Sequence, residues 1–258
     1  MLSNKFKVNY SVGAVANGVK TDTFTFFLLF FYSNIIGLNP GLAGSAIFIA
    51  LCIDAITDPL MGTISDRTNS SFGRRHPYMF ISFIPMSLGY ILLFAPRQEW
   101  GMSQTDLFIW MTIFTVITRI GMTLFDIPHR AFGGEVTKDY KERTILMSWR
   151  EMFAWVAGLS NAFLGYGVFF ASTPEFPQGQ LNPDVWFPFA LTGAAIMVFS
   201  VLYSSLSTKD EINSLSSLST SIFSQTFSEI TSSLFLLVIN KTFAPLAITS
   251  CIFEIVFL

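Results

Sequence analysis

Six apolar runs, at about 9–37, 42–64, 77–96, 105–129, 146–171 and 185–206, are each long enough to cross a lipid bilayer, and each is closed off by Pro, Gly or charge. A bilayer core takes roughly 20 apolar residues of helix. Within lipid the backbone N–H and C=O groups must satisfy one another, so runs of this length read as membrane helices. The composition agrees. Only 12% of the 258 residues are charged and 52% are apolar, with mean hydropathy +0.55. A soluble domain carries roughly 25% charged residues. A water-soluble globular enzyme is thereby excluded, and the 29 Phe belong to the spans.

The net charge of −2 is too balanced to argue for nucleic acid or an acidic partner. Cys52 and Cys251 both lie inside apolar runs and read as small hydrophobes rather than as a disulfide or metal pair. The first 20 residues lack the basic stretch, short apolar core and small-residue site of a removable signal, so the first span directs insertion. Trp100, Trp110, Trp149, Trp155 and Trp186 fall mainly near span ends, as interface anchors do.

Lys and Arg in short loops set orientation. Ten of them (Lys5, Lys7, Arg67, Arg74, Arg75, Lys138, Lys141, Arg143, Lys209 and Lys241) lie on one side of the six spans, and Arg97 alone lies on the other. The N-terminus and the Ser-rich stretch after the sixth span are thus expected in the cytoplasm. Residues 1–206 form a six-helix bundle, 207–241 a cytoplasmic linker with an amphipathic helix, and 242–258 the start of a seventh span. This all-α plan is the N-terminal half of a twelve-helix protein in which two six-helix halves enclose a cavity. The end at Phe257-Leu258, inside an apolar run, reads as a truncation with the C-terminal half missing.

An ionisable residue near mid-bilayer costs roughly 2.5–3.5 kcal/mol on insertion scales, so those present face a cavity or a partner. Asp54 and Asp58 are four apart and share one helix face, with Thr57 beside them and Pro59 next in line. Two such carboxylates repel unless a cation or proton sits between them, which makes the pair a Na⁺ or H⁺ site; the plainer reading is a pair of ion bridges to neighbouring helices. Arg119, Thr123, Asp126 and Arg130 form a second polar stripe, which reads as a ligand face or as an interhelical ladder. Pro128, Gly121, Gly133 and Gly134 give that helix places to bend, and His129 reads as packed. Lys20 and Asp22 point to different faces of the first span. Arg150 heads a small-residue stripe of Ala154, Gly158, Asn161 and Gly165 that reads as helix packing.

The loop Gly62-Thr-Ile-Ser-Asp66-Arg67-Thr-Asn-Ser-Ser-Phe-Gly73-Arg74-Arg75 resembles the cytoplasmic signature of the major facilitator superfamily. With Asp54-Ala-Ile-Thr57-Asp58-Pro-Leu-Met-Gly62 before it, and Gly121-Met-Thr123-Leu-Phe-Asp126-Ile-Pro128 and Arg150 after it, the segment is similar to the glycoside-pentoside-hexuronide:cation symporters, of the melibiose permease type. The resemblance covers about residues 7–206. It implies a cation site at Asp54, Thr57, Asp58 and Thr123 and a substrate site using Asp126 and Arg150. It also implies a cytoplasmic gate at Gly62, Asp66, Arg67, Gly73, Arg74 and Arg75, locked when the protein opens outward. No cofactor is implied besides the coupling cation. The family's helix-one Lys-Asp pair corresponds here to Asn17-Gly18, and its helix-four aromatic to Arg130. Lys20, Asp22 and Arg130 therefore join the candidate substrate residues, and an acidic substrate becomes an alternative to a neutral sugar or glycoside.

The expectation is an integral, multi-pass symporter of a bacterial inner membrane, taking a small-molecule substrate. Other readings are a partial or inactive transporter fragment and a lipid or organic-anion symporter of the same fold. A membrane enzyme would need a nucleophile with its base, or a metal set at one depth, and the two His and two Cys are too scattered for either. A channel would have no use for paired carboxylates and an inner-gate signature.

Overall fold

The computed structural model describes residues 2–209 apart from 69 and 71, and the regular elements among them are all helices, joined by loops, with no strand. The linker beyond Lys209 and the start of a seventh span lie outside the described residues. The chain begins with α1 (Asn4–Val12) and α2 (Ala14–Asp22), then continues into two π-helical segments, Thr23–Leu28 and Phe31–Ile36. Together they make the first rod. After Gly37 come α3 (Pro40–Arg67), α4 (His76–Ile81) with α5 (Phe83–Leu93), α6 (Gln104–Glu135), α7 (Tyr140–Leu164) and α8 (Trp186–Ser207). Among the described residues, five helical stretches, Pro40–Arg67, His76–Leu93, Gln104–Glu135, Tyr140–Phe169 and Pro183–Ser207, are long and apolar enough to cross a membrane. The first rod carries the remaining apolar run, broken into short α and π pieces where a single helix was expected.

Several helices outrun the apolar stretches that announce them. α6 continues from Arg130 to Glu135, and α7 starts at Tyr140, well before 146. Polar caps account for this. Asp139 accepts from the Lys141 N–H at 2.9 Å, and Ser103 and Asp106 close a capping box at the other end of α6. Pro59 and Pro128 lie inside continuous helices, so neither breaks its span. Gly121 serves close packing: a Cβ there would stand 2.4 Å from the Met86 backbone nitrogen of α5.

The rods form an open ring. α3 packs on α6, α6 on α5, α5 on α8, α8 on α2, and α2 on α7, while α6 and α7 touch sparingly. α2 and α7 meet backbone to backbone, because a Cβ at Gly18 would lie 2.1 Å from the Ala154 carbonyl oxygen. The small residues of α7 do pack, as expected. At the end opposite the basic loops, Phe27, Phe31, Phe94, Phe170 and Phe189 gather around Trp186. Trp186 is fully buried and donates to the Gln180 carbonyl at 3.0 Å, so it is a core residue and not the interface anchor its position suggests. At the basic end, Tyr10, His129 and Phe125 stack, and Tyr10 Oη donates to the His129 carbonyl at 3.0 Å. His129 is packed, in line with its sequence reading.

Candidate functional site

The acidic positions of α3 face the polar stripe of α6, and the four-residue spacing on both helices turns that meeting into successive rungs. Asp54 pairs with the Nη1 of Arg119. One turn further along both helices, Thr123 Oγ1 donates to Asp58 Oδ1 at 2.7 Å. Thr57, a candidate ligand, turns its hydroxyl back to the Asp54 main-chain carbonyl at 3.4 Å. Asp54 Oδ1 is buried without a hydrogen-bond partner. That free acceptor, with Asp58 and the hydroxyls of Thr57 and Thr123 on the same turns, is a hard-oxygen set of the kind a monovalent cation takes. Among the described residues, no group of three or more His, Cys, Asp or Glu could hold a metal ion.

Further along α6, Asp126 accepts from Arg130 Nε at 2.6 Å and pairs with the fully buried Arg150 of α7. Arg150 also pairs with Glu151, which lies 3.8 Å from Arg130. Thus α6 and α7, which share few packing contacts, are tied by ions. A buried guanidinium between two carboxylates is compensated where an isolated one would be prohibitive. The candidate substrate residues Asp126, Arg130 and Arg150 come together here, in the ion-paired ladder that was one of the two readings of this stripe.

Lys20 and Asp22 separate, as their spacing requires. Lys20 lies 5.7 Å from the centre of the Phe24 ring, and Arg119 lies 5.5 Å from the same ring. Asp22 turns into the bundle, buried, where it accepts from Asn161 Nδ2 at 2.7 Å; Asn161 also reaches Thr23, whose hydroxyl meets that of Tyr90 at 2.7 Å. Asp22 therefore stands apart from the Asp126 group. Gly18, where the family carries a carboxylate, has no space for any side chain.

At the basic end, Arg75 bridges Asp66 at 2.6 Å and Glu135 at 3.0 Å, and Arg74 reaches Glu135 at 3.0 Å. Gly73 takes φ 81°, a left-handed turn that delivers both arginines to the end of α6. Arg67 is exposed in the last turn of α3, and Gly62 lies in ordinary contact with Ile127. Among the described residues, the network joins the last turn of α3, the basic loop and the end of α6. Glu135 escaped the sequence reading, although a carboxylate just past an apolar run, at the depth of a basic loop, is a usable signal. Glu142 escaped it too: it pairs with Lys7 at 3.2 Å and fastens α1 to α7, both side chains being buried.

An open ring of membrane helices, charged on the face shared by α3, α6 and α7 and stapled at one end by an Asp-Arg-Glu network, defines one half of a major facilitator fold. The description MFS/sugar transport protein matches residues 9–252, and the chain belongs to that family of membrane transporters, which are not enzymes. The inner membrane symporter YicJ of Escherichia coli (strain K12) is 30% identical over 164 residues, covering 64% of this chain and 35% of the relative. The sodium-dependent lysophosphatidylcholine symporter 1-A of Danio rerio is 30% identical over 173 residues, covering 65% of this chain and 31% of the relative. The chain thus spans about a third of the length of these relatives. The inward-open xylose transporter XylE from E. coli superposes with a TM-score of 0.62 at 15% identity, covering 90% of this chain and 56% of that one.

Proposed function

We propose that this fold is the N-terminal half of a cation-coupled symporter for a glycoside, lying in the inner membrane of a bacterium with its N-terminus in the cytoplasm. The observation that carries the reading is the pair of rungs between α3 and α6: Asp54 with a free buried oxygen, and Asp58, one turn on and of the same charge, held by a hydroxyl. A monovalent cation at Asp54, Thr57, Asp58 and Thr123 would relieve that repulsion. Na⁺ is the first ion to test, since one relative is named as sodium-dependent.

The substrate would meet Asp126, Arg130 and Arg150 beside the cation. A carboxylate accepts sugar hydroxyls, and a guanidinium donates to them in a planar fork. Arg150 is fully buried and paired with Asp126 and Glu151, whereas Arg130 is about half exposed. Arg130 is therefore where an acidic group on the glycoside would make contact. The gate residues Asp66, Arg74 and Arg75, with Glu135, would hold the basic end rigid while the two halves rock.

The test is uptake into vesicles by a full-length protein that contains this half. Asp58→Asn should abolish accumulation against a gradient while leaving membrane insertion intact, and unchanged Na⁺- or proton-stimulated uptake would refute the coupling role. Competition by a neutral glycoside, the matching uronide and lysophosphatidylcholine then assigns the substrate class, and competition by the lipid alone would replace the glycoside.

A further inference from the structure

We propose that Arg119 is a built-in counter-ion that sets how tightly the Asp54–Asp58 pair takes a monovalent cation, an inference that rests on the symport reading. Arg119 is buried, and it crosses from α6 to α3 to engage Asp54 Oδ2. The ion pair is incompletely satisfied on both sides: Asp54 Oδ1 and Arg119 Nε are each buried without a hydrogen-bond partner. From the first rod, the Phe24 ring stands 5.5 Å from the guanidinium and holds it against α3. The next rung, Thr123 to Asp58, is neutral on the α6 side. Of two carboxylates one turn apart, one is therefore paired across the helices with a guanidinium and the other with a hydroxyl.

The positive charge on Arg119 is permanent, because a guanidinium keeps its proton in proteins. A cation bound to Asp54 Oδ1 and Asp58 would share a carboxylate with it, and at that range like charges oppose each other strongly even when well screened. Arg119 thus lowers cation affinity while it braces α3 on α6. These two roles have opposite consequences when the charge is removed. Losing a brace loosens the pocket and weakens cation binding, whereas losing a counter-ion strengthens it.

The experiment uses the purified 258-residue chain in lipid nanodiscs, titrated with NaCl against choline chloride, and reads thermal stability and tryptophan fluorescence. With Arg119→Gln, the Na⁺ concentration at half response should fall by roughly tenfold or more. Arg119→Lys, which keeps the charge, should stay near wild type. A response first appearing in Arg119→Gln, with none in the wild type, also supports the inference. An unchanged or weaker response, or none in either protein, overturns it. Where Arg119→Gln does not fold, Phe24→Leu replaces it: by releasing the guanidinium it should lower the half-response concentration in the same direction, and no change or a rise overturns the inference. Failure here leaves the symport reading standing, since that falls only on uptake by Asp58→Asn.

Discussion

Asp58 and Asp126 face the same difficulty, a carboxylate inside a membrane helix, and meet it differently. Asp126 has two guanidiniums against it, while Asp58 has one hydroxyl at 2.7 Å. Removing the hydroxyl should therefore be felt. Thr123→Val is expected to destabilise the chain by roughly 1.5–3 kcal/mol, the range for a hydrogen bond to a charged group, with Thr123→Ser restoring most of it. Thermal unfolding of the two variants in nanodiscs, at fixed Na⁺, measures this. At this scale the residue types and their spacing were readable from the sequence: carboxylates four apart on one helix, and a stripe of Arg, Thr, Asp and Arg on another. Their pairing was not readable, because whether Arg119 reaches Asp54 or a ligand depends on how α6 lies against α3. The same limit hid Asp22, whose turn toward Asn161 is decided by the rotation of the first rod.

Among the elements, the boundaries drawn from hydropathy stop where lipid would stop, and the helices do not. α6 and α7 extend into the polar layer at the basic end, and that extension builds the Glu135 and Glu142 contacts. The π segments of the first rod were likewise silent in the sequence, since an apolar run has the same composition in α and π form. The extension of α6 has a checkable consequence. Glu135→Gln removes the acceptor charge shared by Arg74 and Arg75, leaving Asp66, more than half exposed, as the remaining partner of Arg75. Amide hydrogen exchange across residues 74–78 should then accelerate, while α8 is unaffected. Equal protection in the variant would mean that the network is ornamental.

For the whole molecule, membrane class and family were legible because they rest on long runs and a loop signature, which survive errors of a few residues. The proposed topology, with the N-terminus in the cytoplasm, rests on the ten-to-one distribution of Lys and Arg in the loops. In a Cys52→Ser, Cys251→Ser background, a membrane-impermeant thiol reagent added outside intact cells should label Gln178→Cys and spare Ser70→Cys. The reverse pattern would invert the protein in the membrane.

The contact between Gly18 and Ala154 leaves no clearance between the first rod and α7. Those two elements therefore turn as one lever, as do α3 and α6, whose two rungs pin them together. What joins lever to lever on this face is ionic: Asp126 to Arg150, and the guanidinium of Arg119 against Phe24. Packing holds each pair together, helped in α3 and α6 by the two polar rungs, whereas on this face charge is what spans from pair to pair, and an arriving ion can alter charge. The seam that packing holds least on this face is the one between α6 and α7, and it lies beside the residues that a cation would touch.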